Sequence, residues 1–139
     1  MSMNLGMTRS RGATVLGLVI GAAGIGVLWA AGIEFPVAIP PGLVILLVGA
    51  VVVGLVHRPS AAAFGAFLGL FVLVGFLASP TGIDNISGEE GAVVAAGQAV
   101  QLIGVITALT SGVVAFRAER RLPSGPRQQT DRSPIGGQE

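Results

Sequence analysis

Four stretches of the chain are apolar, and short polar interruptions separate them. Between Arg11 and Arg58 the only ionisable side chains are Glu34 and His57; none lies between Arg58 and Asp84, or between Glu90 and Arg117. An uncharged run of about 18 or more apolar residues, rising about 1.5 Å per residue as a helix, can cross a hydrocarbon layer about 30 Å thick. Residues 13–33 and 61–79 reach that length, while 91–116 exceeds it and must tilt or project. Residues 40–57 make the shortest span, opened by Pro40 or Pro41, because a first-turn proline sacrifices no hydrogen bond. The pattern predicts an all-α integral membrane four-helix bundle.

Composition strengthens that reading. The 139 residues are 52% hydrophobic and only 11% charged, with a mean hydropathy of +0.81. A water-soluble domain carries about a quarter of its residues as charges, so lipid must be part of this chain's solvent. There is no Cys, which excludes disulfides, thiol catalysis and thiolate metal sites. The formal net charge of +1 says little about partners, and no nucleic-acid partner is expected. All eight basic residues are Arg, and Gly is abundant at 22, a bias that suggests a GC-rich genome.

The distribution of charge carries more than its sum. Arg9 and Arg11 precede the first span, Arg58 separates the second and third, and Arg117, Arg120 and Arg121 follow the fourth. The other two connections hold only acids: Glu34, then Asp84, Glu89 and Glu90. Basic residues near span ends stay cytoplasmic, so both termini are expected in the cytoplasm of a bacterial cell, with two helical hairpins facing outward across the inner membrane. The expected organisation is a cytoplasmic tail over 1–11, the membrane domain over 12–121, and a disordered cytoplasmic tail over 122–139, which has almost nothing apolar to bury. A cleaved signal peptide fits poorly: the first apolar run is longer than the usual 7 to 15 residues, and Leu28-Trp29-Ala30-Ala31 is a weak cleavage site.

Local signals refine the helix ends. Ser60 is a candidate N-cap for the third span. Ser87, followed three residues later by Glu90, has the form of a capping box and predicts that the fourth span begins near Gly88. The proline-rich connection 34–41 is expected to be a stiff, extended turn.

Candidate chemistry is sparse. Small residues recur at spacings of three and four: Ala13, Gly17, Gly21 and Gly24 in the first span, Ala61, Gly65 and Gly69 in the third, and Gly97, Gly104, Ala108 and Gly112 in the fourth. Each set falls on one helical face, where missing side chains let backbones approach and dispersion can hold helices together in lipid. Such faces serve packing within the bundle or docking of a partner. Gln98 and Gln101 are the only carboxamides inside a span, and Gln101 shares the face of Gly97 and Gly104. They read as interhelical hydrogen-bonding groups or, alternatively, as the lining of a solute path. Glu34 borders the first span, where a carboxylate can couple to a proton or cation, and His57 is a lone interfacial imidazole. Asp84, Asn85, Glu89 and Glu90 offer oxygen for weak calcium binding but lack the spacing of an EF-hand loop. No catalytic triad, phosphate-binding glycine loop or zinc motif occurs, so neither an enzyme nor a cofactor is expected.

In size and span number the chain is similar to the small multidrug exporters, but those carry a glutamate well inside the first span and many aromatic residues, whereas Glu34 is at the border and aromatics are 5%. The polar and arginine motif of the small fluoride channels is also missing from the spans. In layout alone, the four spans resemble small four-span membrane proteins of actinobacteria, a resemblance that implies no activity. The expected function is a non-enzymatic accessory or structural component, packing in the bilayer against itself or a membrane partner. The alternative is a small oligomeric transporter or channel lined by the polar face of the fourth span.

Overall fold

A computed structural model describes residues 2–35 and 37–121. These form five helices: α1 (Ser2–Ala30), α2 (Pro41–Leu55), α3 (Pro59–Ala78), a short α4 (Gly82–Ser87) and α5 (Ala92–Arg120). The described chain is all-α. Three stretches are long and apolar enough to cross a membrane, Leu5–Ala30, Pro59–Ala78 and Ala92–Arg120, with mean hydropathies of 2.1, 2.4 and 2.0. That is the make-up of a membrane protein. Helix α2 is equally apolar but has 15 residues, which reach only about 22 Å.

The helix ends depart from expectation in three places. Helix α1 starts at Ser2, so described residues of the expected 1–11 tail are its first turns; residues 122–139 lie outside the described chain. Ser60 is not a cap: Arg58 holds the N-cap position in an extended conformation and Pro59 opens α3. The capping box does not form either. Residues 82–87 wind into α4, and the Ser87 hydroxyl donates backwards to the Asp84 carbonyl at 2.8 Å. Gly88 ends α4 at φ 89°, and Gly91 precedes α5 at φ 106°. Two left-handed backbones so close together suit Gly alone, and they move the start of α5 to Ala92.

The four long helices close a ring in which α1 and α3 each touch α2 and α5, while α4 lies against α3 and α5. Leu18, Leu46, Val53 and Val105 are fully enclosed at the centre, with Ala22, Ile25, Ala50, Leu68 and Ala108 around them. The outer surface is apolar as well, for example Leu16, Val51, Phe67, Val74, Ile103 and Val114. Helices that are hydrophobic all round belong in lipid rather than water.

Helix α5 lies closest to its neighbours. A Cβ on Gly17 would sit 2.6 Å from the Ala108 amide nitrogen, and one on Gly104 would sit 2.7 Å from both the Gly17 carbonyl oxygen and the Gly21 Cα. On the α3 side, a Cβ on Gly69 would sit 2.7 Å from the Val105 oxygen, and one on Gly112 would sit 2.9 Å from the Ala62 oxygen. These are backbone-to-backbone contacts, and only glycine permits them.

Candidate functional site

On α5 the residues Gly97, Gln98, Gln101 and Gly104 are buried together, because steps of three and four return to the same side of a helix. That side faces α1. Gly104 meets Gly17 and Gly21, while Gly97 meets the Val27 side chain and the Gly24 carbonyl. The backbone of Gln101 presses on Gly24. The small-residue faces of α1, α3 and α5 are thus occupied within one chain.

Gln98 and Gln101 are 4% and 8% exposed. The Gln98 amide donates to the Gln101 carbonyl oxygen at 3.1 Å. The two carboxamides line a cavity of about 480 Å³ at the end of the molecule that carries the acidic connections. Its walls come from α1, the 33–35 turn, the start of α2, the end of α3, and α4; they include the rings of Phe35, Phe71 and Phe76. Asn85 of α4, 7% exposed, contributes a third carboxamide. Glu34 is exposed at the rim and is the one charged residue in the lining.

The hydroxyl groups of α5 each bond back to a carbonyl of their own helix. Thr107 donates to the Ile103 carbonyl at 2.7 Å and Thr110 to that of Ile106 at 2.9 Å. Ser111 donates to Thr107 and lies 3.0 Å from the Thr14 hydroxyl of α1, a cross-link between the two helices. The outward stripe of α5 is Val93, Val100, Ile103, Ile106 and Val114, with Thr110 its one polar member, so it offers a path for solute little polar wall on that side. His57 is exposed, with Nδ1 3.0 Å from the Leu55 carbonyl. Among the described residues no group of three or more His, Asp or Glu side chains could hold a metal ion, and the acidic connection is no exception.

The opposite end holds a constellation that spacing along the chain does not assemble. Arg11 of α1 bridges the two helices beside it, pairing with Glu119 of α5 at 2.8 Å, and both side chains are largely buried, 13% and 7% exposed. Its other guanidinium nitrogen donates to the carbonyls of Val53, at 2.7 Å, and Val56. The last carbonyls of a helix have no intrahelical donor, so Arg11 satisfies the C-terminal end of α2 and adds positive charge where the helix dipole is negative. A longer bond, 3.4 Å, runs to the Arg58 carbonyl. The second Glu119 oxygen is buried with no hydrogen bond.

Arg11 read in sequence as one of several topology-setting arginines, and Glu119 stands among the arginines that follow the fourth span. The available signal was that Glu119 is the one carboxylate among the arginine-bearing segments of 9–121. Asn85 gave no signal of burial, because the short helix that turns it inward is itself not apparent from the sequence.

Compared with known proteins, the chain matches no family model, no characterised protein and no solved structure.

Proposed function

We propose that this chain is a non-enzymatic integral protein of a bacterial inner membrane, crossing it four times with both termini in the cytoplasm. Its role is that of an accessory or structural component that packs against a second copy of itself or a membrane partner. The orientation draws support from Arg11, whose bonds gather the start of α1, the α2–α3 link and the end of α5 at one end. Every arginine of the described residues belongs to those segments, as the positive-inside rule requires of a cytoplasmic face. At about 22 Å, α2 is shorter than the hydrocarbon is thick, a mismatch met by thinning the bilayer or by association with another helix.

One observation carries the docking role. The small-residue faces are filled from within the chain, whereas the outer side of α2 and α3 leaves an uncovered groove of about 400 Å³ lined by Val44, Ile45, Val48, Phe64, Phe67, Leu68 and Phe71. Phe67 and Phe71 stack at its edge with ring centroids 6.4 Å apart. Purification in several mild detergents, with native mass spectrometry, is expected to recover a dimer or a defined complex that Phe67→Ala weakens. A lone monomer under every gentle condition refutes the role. In this Cys-free chain, Glu89→Cys is expected to label from outside and Arg121→Cys only after permeabilisation; the reverse pattern refutes the orientation.

The oligomeric transporter remains the second reading, favoured by the carboxamides that line the cavity. Because that lining lies within one chain, transport along it requires α1 and α3 to part from α5. A flux assay on reconstituted protein, with Gln98→Ala and Gln101→Leu, tests it.

A further inference from the structure

The cavity at the acidic end has the features of a binding site rather than a packing fault. A packing fault in an apolar core is lined by apolar groups, whereas three carboxamides that are more than nine-tenths buried, Asn85, Gln98 and Gln101, face this one. Their hydrogen-bonding capacity is mostly unspent. The single bond between Gln98 and Gln101 leaves one carbonyl oxygen and one amide N–H₂ of the pair free, whichever way round the two groups are assigned. Asn85 makes no side-chain hydrogen bond among the described residues, so its oxygen is a further acceptor. These free atoms open onto the cavity rather than being sealed off, since the one buried side-chain polar atom without a partner among the described residues is Glu119 Oε2; a ligand carrying its own donors can therefore reach them.

Charge selects the sign of the ligand. Glu34 stands at the rim, Asp84, Glu89 and Glu90 lie on the same end, and no basic residue lines the cavity. Acidic groups around a low-dielectric cleft focus the field and concentrate cations. Apart from Ser79 and Thr81 the remaining wall is aromatic and aliphatic, and it includes the rings of Phe71 and Phe76, which suit an apolar body and can attract a cation. At about 480 Å³ the space matches a small organic molecule.

We propose that this cavity binds a small amphipathic organic ammonium ion. The ammonium N–H groups donate to the free carboxamide oxygens, its charge is met by Glu34, and its apolar body lies against Phe71 and Phe76. This site shares only Phe71 with the α2–α3 groove and does not depend on the docking role.

The test uses 3,3-diphenylpropylamine and its uncharged analogue 3,3-diphenylpropan-1-ol, titrated calorimetrically into the full chain in lipid nanodiscs, with empty nanodiscs subtracted. The amine is expected to bind saturably and about 5-fold more tightly than the alcohol, the scale of one exposed ion pair. Glu34→Gln should reduce that preference to about 1-fold, and Glu34→Asp should restore it; both leave the fold intact because the side chain is exposed. Gln98→Leu should weaken amine binding about 10-fold, the loss of one charge-assisted hydrogen bond. Absence of saturable binding, equal affinity for amine and alcohol, or a preference that survives Glu34→Gln overturns the proposal. Should Gln98→Leu fail to fold, the two Glu34 variants decide the matter alone.

Discussion

Helices α5 and α2 are both apolar and both rich in glycine, yet they are held by different means. Glycines at the α1–α5 and α3–α5 seams meet backbone: Gly17, Gly69, Gly104 and Gly112 stand against the main chain of the facing helix. On α2 the neighbours are the ends of side chains, Gly49 against Leu68 Cδ1 and Gly42 against Ile25 Cδ1 at 3.0 Å, while Gly54 has only Val15 Cγ2 at 3.9 Å. A side chain can rotate away from an intruding methyl group, but a backbone carbonyl cannot move without its helix. The α5 seams are therefore rigid, and α2 is the adaptable element.

The comparison breaks most readily at Gly104. Gly104→Val is expected to cost more than about 3 kcal/mol, beyond ordinary overpacking, and to abolish the thermal unfolding transition seen by Trp29 fluorescence. If the variant melts like the parent, the seam is not backbone-close.

The clamp at the arginine end comes next. Glu119→Ala leaves the largely buried Arg11 without its counter-charge and should destabilise by about 3 kcal/mol. Arg11→Ala should lose at least as much, since it also frees the Val53 and Val56 carbonyls. The double variant should cost less than the sum of the two, and additivity would disprove a direct coupling.

Gln101→Leu is a smaller perturbation, about 0.6 kcal/mol for one interhelical-scale hydrogen bond, measured by the same melting experiment. A loss of several kcal/mol would instead make the carboxamide pair a keystone of the fold. The smallest effect is expected on α2, where Gly54→Ala should be neutral or stabilising by up to about 1 kcal/mol through helix propensity. A large loss there would erase the distinction between α2 and the seams.

Much of the fold was legible. Each charge-free stretch lies largely within one long helix, α1, α2, α3 or α5, although α1 and α5 run on into charged residues, and the first turn of α2 falls at Pro41 as the prolines predicted. The small-residue spacing identified the faces on which α5 packs, including Gly97 and Gly104. The carboxamides Gln98 and Gln101 stood out because hydrocarbon gives a polar side chain no partner except another residue. Errors gathered at helix ends. The polar start of α1 resembles a tail when read alone, since Leu5 is its main apolar residue, and the helix that absorbs it gains by continuing from an already nucleated segment. Ser87 has two possible bonding partners, and the one it takes depends on whether 82–87 winds as a helix.

Hydropathy and spacing are properties of consecutive residues, and one helix suffices to express them. The sequence by itself therefore determined the apolar helices, their approximate limits and their glycine faces. Which groups meet across the ring is a matter of separate helices arriving together. Arg11 and Glu119 are 108 positions apart in sequence, yet their side chains bond at 2.8 Å, and Asn85 lines the same cavity as Gln98 only because α4 folds back onto α5. Only the tertiary structure decided those meetings, because charge pairing and cavity lining are set by distance in space, which spacing along the chain does not record.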